Sequence, residues 1–565
     1  MKRNLTILLM IVLVLALSNC APAPTAAPTE APPVAPAETE APPAPAETEA
    51  PVVTEAPAAT EEPAATESPA EGGEVDDGTF TVAMYTDFTD WDPAAAFSLE
   101  IWFLRSVYET LLWYNVPGSE ETFSPGLATS WEVSEDGLSW TFHLREGVKF
   151  HDGTDMNAEA VKYSIERTKE LGMGGAYIWS PLDYIEAVDD YTAVFHLKYP
   201  APIDLIASSQ YSSYIYSPAA GEKGTEWFQE GHDGGTGPYM IDSWEPDQQT
   251  VLVKFPEYWA GWEGEHFSKV ILKVVLEKST QVQMLESGEA DRATSVPVDS
   301  LESLMANPEI SVITGPSWMN SQFLINVMRP PTDNLLIRQA ISYAWDYQTV
   351  VDKIYNGMAE IAQGPIPKTM WGHKADMELY SFDLEKAKAL VEESGLSPEE
   401  LKIVLAYHST SSEYENAALL LQQDLAEIGI EVELKPGPWN TLWEECKNLD
   451  TAPNIMTMTW WPTYPTPNDW LYGQYRTEDP TNFNLSHYSN PEMDAMLDEA
   501  MALEGTDRDE AIRLYGEIQQ LLVHDAPAVF YADIMFRITQ RANIHGEKPN
   551  PAYNAPNFYL VYRTD

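Results

Sequence analysis

The sequence predicts an α/β protein of more than one lobe, preceded by an export signal and a tether. Three observations carry this. The chain has 565 residues, well past the ~250–300 at which a single core stops growing. Residues 402–458 alternate strand and helix patterns, which implies a parallel sheet with helices packed on it. Residues 123–200 carry period-two runs such as Trp140–Leu144, punctuated by Gly126, Gly137, Gly147 and Gly153, and read as an antiparallel subdomain.

The N-terminus reads as an address. Lys2 and Arg3 precede an apolar run from Leu5 to Leu17, too short to cross a bilayer core and of the size of a secretory signal. Leu17-Ser18-Asn19-Cys20 follows, and resembles a bacterial lipobox with Cys20 as the lipidated residue; Asn19 departs from the small residue usual there. Residues 21–77 are rich in Pro, Ala, Glu and Thr, and Ala-Pro-Ala-Glu-Thr-Glu-Ala-Pro occurs at 35–42 and again at 44–51. With so little to bury, this segment is expected to stay unfolded. It would span roughly 40 Å as a coil and up to about 180 Å as polyproline II.

Folding signals begin near Thr79, where Phe80, Val82 and Met84 alternate as in a strand. Residues 99–113 read as a helix. Asn157 is placed to cap a helix that buries Val161 and Ile165. Helical spacing returns from Ile337 to Ile354, closed by Gly357, and a further helix runs from Asp383 to Gly395. The clearest unit follows: a strand at 402–407, a helix at 413–428, a strand through Ile430, Val432 and Leu434, a helix from Trp439, and a strand at 455–458.

In open α/β sheets ligands bind beyond the carboxyl ends of the strands. Tyr407 and His408 lie beyond the first strand of this unit, Trp439 beyond the second, and Trp460, Trp461 and Tyr464 beyond the third. Their coincidence at one sheet edge points to a ligand surface; the bland alternative is that they seal a core. Tyr85, just past the first strand of the fold, joins the ligand-binding set.

Charge and motifs narrow the function. The chain holds 32 Lys+Arg against 88 Asp+Glu, a net −56. The segment 21–77 holds −13 and Lys2 and Arg3 hold +2, which leaves −45 on the rest. Such acidity argues against nucleic acid and anionic lipid as partners, because both need clustered Lys and Arg. The two cysteines, Cys20 and Cys446, make no disulfide framework. The ten histidines show no metal-ligand spacing, and phosphate-loop, dinucleotide and nucleophile-elbow motifs are lacking. No cofactor, metal or catalytic residue is expected, and the chain reads as a binding module rather than an enzyme.

Several blocks resemble one family. Ser124-Pro-Gly-Leu-Ala-Thr-Ser-Trp131-Glu-Val-Ser-Glu-Asp-Gly137, continuing as Trp140-Thr-Phe-His-Leu-Arg-Glu-Gly147-Val-Lys-Phe-His-Asp-Gly153, is the most specific. Gly235-Thr-Gly-Pro-Tyr239, Tyr258-Trp259, Ile337–Ala344 and Ser489–Asp494 are similar to further blocks. Together they resemble the extracytoplasmic solute-binding proteins of ABC importers, a family that includes oligopeptide-, dipeptide- and nickel-chelate-binding members. The resemblance covers nearly all of 78–565. It implies a two-lobed fold of the periplasmic-binding-protein type II class, with an extra antiparallel subdomain in lobe I. Lobe I would comprise 78–122, 236–330 and 530–565, the inserted subdomain 123–235, and lobe II 331–529. Ligand would lie between the lobes, and the closed form would dock on a membrane permease driven by ATPase subunits. The protein is expected to act as an exported monomer, lipid-anchored on the outer face of the cytoplasmic membrane or periplasmic.

The resemblance also bears on the ligand. Peptide-binding members carry a Trp-x-x-Asp-Tyr block whose carboxylate receives the peptide's α-ammonium. The matching block here is Trp460-Trp461-Pro462-Thr463-Tyr464, with Thr463 in place of Asp. A hydroxyl does not balance a buried ammonium, and Asp469 is the nearby carboxylate that could compensate. Trp439 matches a position where peptide binders place a Trp near the ligand. Peptide is the leading reading, from family and acidity. Oligosaccharide is the alternative, since sugars stack on aromatic rings; a cell-surface hydrolase is a distant third.

Overall fold

The computed structural model describes residues 78–553 and 555–564; the apolar run at 5–17, Cys20 and the segment 21–77 lie outside the described residues. Strand β1 (Thr79–Met84) buries Phe80, Val82 and Met84 at alternate positions. The helix expected over 99–113 is shorter. It spans Ile101–Val107, and Leu112–Tyr114 is a strand. At Val107 another segment crosses the chain: Gly237 donates its N–H to the Val107 carbonyl at 2.9 Å. A Cβ on Gly237 would fall 2.5 Å from the Ser106 carbonyl oxygen, so only glycine permits the crossing.

The subdomain forms its own antiparallel sheet. Its strands are β2 (Ala128–Val133), β3 (Ser139–Leu144), β4 (Leu182–Asp189) and β5 (Thr192–Leu197), in the spatial order β2-β3-β5-β4. Helix α1 (Ala158–Leu171) packs on it; Asn157 accepts the Ala160 N–H as its cap, and Gly172 ends it in a left-handed conformation. Lobe I resumes with β6 (Tyr239–Glu245), β7 (Gln249–Lys254), β8 (Lys269–Val274) and β9 (Arg292–Ala293). Here the Gly235–Tyr239 and Tyr258–Trp259 blocks meet. Thr236, Tyr258 and Trp259 all donate to the buried Glu109 carboxylate at 2.9–3.1 Å. Burial nonetheless pushes Glu109 up to about 7. These blocks therefore hold lobe I together.

Strand β10 (Ile310–Ile325) is followed by α2 (Leu335–Ala344). The helix expected to continue to Ile354 breaks at Trp345, which turns extended and buries its ring against Phe323 and Tyr531. Asp346 then caps a new turn by accepting the Thr349 N–H. After β11 (Ala359–Ile361) and α3 (Leu384–Ser394) comes the expected alternation: β12 (Lys402–His408), α4 (Ser412–Ala426), β13 (Glu431–Gly437), α5 (Trp439–Lys447) and β14 (Ile455–Trp460). Strand β12 pairs in parallel with both β13 and β14, and Ala417, Leu421 and Leu425 of α4 are buried against it. Helices α6 (Pro467–Tyr475), α7 (Pro491–Leu503) and α8 (Arg508–Asp525) lead to β15 (Ala528–Arg541).

The main sheet runs β13-β12-β14-β10-β15-β9-β1-β8-β7-β6, with β11 on β15. The long strands β10 and β15 join the two halves. Asn320–Ile325 of β10 pairs with β14 of lobe II, whereas Thr539 and Gln540 of β15 pair with β9 of lobe I. The β10–β15 register shifts between Pro316 and Met319, a bulge where two long strands pass between lobes. Among the described residues no helix is long and apolar enough to cross a membrane.

Candidate functional site

The site is built around the segment that leaves β14. Trp460 is the last residue of that strand, and Thr466 caps α6 by accepting the Asn468 N–H, with Pro467 at the first helical position. Asp469 therefore sits in the first turn of α6, pointing back at the loop. Its carboxylate accepts the Thr463 N–H at 2.8 Å and the Tyr177 hydroxyl at 2.9 Å. The Tyr177 oxygen also lies 2.7 Å from Thr463 Oγ1. Asp469 is 3% exposed, and burial pushes its carboxyl up to about 7 against the pull of these donors.

Tyr177 belongs to the subdomain, and two more subdomain-side residues hold the same loop. Ser209 Oγ donates to the Thr463 carbonyl at 2.7 Å, and Gln210 Nε2 donates to the Pro462 carbonyl at 2.5 Å. Asp204 and Arg508 add an ion pair between the subdomain side and α8, at 3.3 Å. Core residues of the subdomain, among them Trp140 and Phe142, form one apolar cluster with Trp460, Tyr464 and Trp470 of lobe II. Lobe II and the subdomain are thus in direct contact through this loop.

A cavity lies on each side of the loop. The first, of about 210 Å³, is lined by Tyr177, Tyr199, Tyr464, Asn468, Asp469 and Phe483. The second, of about 380 Å³, is lined by Tyr85, Trp102, Tyr211, Met319, Trp461 and Arg537. The second brings together lobe I, both connecting strands and the lobe II loop, and its size falls within the range of small-ligand sites.

The nine candidate ligand-binding residues separate into three groups. Tyr85 and Trp461 line the larger cavity, and Tyr464 and Asp469 the smaller. Thr463 is 2% exposed between Tyr177 and Asp469. The others pack on one another. His408, Trp439, Trp443, Phe483 and Trp460 form a chain of ring contacts with centroids 5.5–6.1 Å apart. Tyr407 lies within β12 and in the lobe II core. The parallel register does bring the strand ends together, with His408 opposite Gly437. The rings at those ends mostly bury each other because apolar faces so close together exclude water first from between themselves. Sequence reasoning missed Tyr177, Ser209 and Gln210, which no local pattern ties to the loop. It also missed Arg537, whose signal was a single cation in the apolar run Ile534–Ile538.

A two-lobed α/β chain, joined by two long strands, holds a cavity of small-ligand size where those strands cross. The chain belongs to the bacterial extracellular solute-binding proteins, family 5, whose description matches residues 122–482. It is 30% identical over 470 residues to a probable D,D-dipeptide-binding periplasmic protein, DdpA, of Escherichia coli K12, covering 81% of this chain and 89% of that protein. It is 29% identical to the glutathione-binding protein GsiB of Pectobacterium atrosepticum, covering 80% and 88% respectively. Among solved structures, DppA of Helicobacter pylori in complex with the peptide STSA superposes with a TM-score of 0.74 at 26% identity, over 86% of this chain and 98% of that one. The fold is the two-lobed type II periplasmic-binding fold expected, and the chain is a solute-binding protein, not an enzyme.

Proposed function

We propose that the protein captures a peptide-class ligand in the cavity beside Trp461 and delivers it to the permease of an ABC importer. The observation that carries this is the larger cavity itself, lined at once by lobe I, the connecting strands and Trp461. The names of the relatives support the ligand class: DdpA is named a probable D,D-dipeptide-binding protein, GsiB is named glutathione-binding, and DppA is in complex with the peptide STSA. The oligosaccharide alternative gains no support from them. Ligand favours closure only through its greater affinity for the closed arrangement, and a site lined from both lobes supplies that difference. Small-angle scattering on the chain from residue 78 onward tests the hinge: saturating peptide reduces the radius of gyration, and an unchanged radius at saturation refutes closure.

The N-terminus completes the reading. Cys20 carries lipid, and the 21–77 segment tethers the lobes near the outer face of the cytoplasmic membrane. Cys20→Ala moves the protein from the membrane pellet to the soluble fraction; a variant that still sediments with membranes is held by something else.

A further inference from the structure

The two cavities differ in which charge is left over. Arg537, half-buried on β15, lines the larger cavity and makes no ion pair or hydrogen bond among the described residues. The other charged groups there are matched: Arg292 Nη1 lies 2.8 Å from Glu547. Glu413 acts on Arg537 only from beyond contact distance, and its own carboxylate accepts from the Ser411 and Ser412 hydroxyls at 3.2 Å. Burial works against the Arg537 charge, as the lowering of its pKa records. A guanidinium offers a planar fork of donors that fits a carboxylate at two points. Trp461, Trp102 and Tyr85 line the same cavity and supply ring faces for an apolar group beside that anion. On the opposite side of the loop, Asp469 already accepts from Thr463 and Tyr177.

We propose that Arg537 is the charged anchor of the cleft and receives a carboxylate of the ligand. The ligand is then a peptide-class molecule selected by its carboxylate, with no requirement for a free α-ammonium. This rests on the peptide reading and adds its polarity. A charge-assisted pair in a partly dry site is worth tenfold or more in affinity.

The test offers the purified full chain a pool of tri- to pentapeptides in four forms, each terminus free or blocked by acetylation or amidation. Hippurate and its amide are offered alongside, and retention is read by native mass spectrometry. The expected result is at least tenfold preference for free carboxylates, indifference to N-acetylation, and loss of the carboxylate preference in Arg537→Gln and Arg537→Met. Peptides bound without carboxylate preference, or a preference that survives in both variants, overturn the anchor while leaving the peptide reading standing. If no peptide is retained but hippurate is retained over its amide in an Arg537-dependent way, the peptide reading fails and the anchor stands. If neither carboxylate form is preferred, the anchor is refuted.

Discussion

Adjacent residues Trp460 and Trp461 face opposite fates. Trp460 is 8% exposed, belongs to the apolar cluster shared by lobe II and the subdomain, and packs edge-on to Phe483. Trp461 is half-buried and lines the larger cavity. The two sides of their loop differ in the same way. On the Asp469 side, the carboxylate, the Thr463 amide and the Tyr177 hydroxyl satisfy each other. On the Trp461 side, rings and a cation line an open space. The difference teaches that the block matching the family's ligand anchor has here become a contact between lobe II and the subdomain. The larger cavity lies on its other face.

The largest test of this contrast is Trp460→Ala. Removing a buried indole from a shared core costs about 3–5 kcal/mol of stability, read as a large fall in denaturation midpoint. A midpoint within error of the wild type would place Trp460 outside the core and erase the contrast.

A smaller effect comes from Asp469. Its folded value of about 7 stands above the ordinary 3.8, so the native state holds a proton that the unfolded state has lost between those values. Stability therefore falls as pH rises from about 4 to about 7 and is level above. Glu504 and Glu109, also pushed up to about 7, add slopes of the same sign in any variant that keeps them. Asp469→Asn should thus gain about 1–3 kcal/mol relative to the wild type across that window. Parallel stability curves would show that Asp469 is solvated and free to anchor a ligand.

The smallest effect sharpens the other side. Trp461→Ala loses ring stacking worth about 1 kcal/mol, several-fold in affinity, with little change in melting temperature. Titration of peptide by calorimetry, with a melting curve for the same sample, checks both halves. A large loss of stability with unchanged affinity would make Trp461 a second Trp460.

The lobe II unit was legible because its signals are local. Each strand alternates or runs apolar, Ser411 caps α4 through the Tyr414 N–H, and Gly429 turns the chain at φ 84°. The helix expected to run unbroken to Ile354 failed where a tertiary contact outbid periodicity: burial of Trp345 and the competing cap of Asp346 broke it. The strand-end rule singled out the loop after β14, and a cavity lies on each side of it. It could not say which rings would face each other and which would face a ligand.

Sequence by itself determined the α/β class, the parallel unit, the antiparallel subdomain and the family, because periodicity, caps and glycine positions act over a few residues. It also showed Thr463 in place of the expected Asp. Only the tertiary structure decided the state of the charges. Tyr177 meets Asp469 across 292 residues, and the cavity at Arg537 is closed by Trp102 and Trp461, which lie far from it in the chain. Whether a buried charge is satisfied depends on atoms within a few ångströms. In a chain that folds back through two long connecting strands, those atoms come from sequence positions that no local pattern relates.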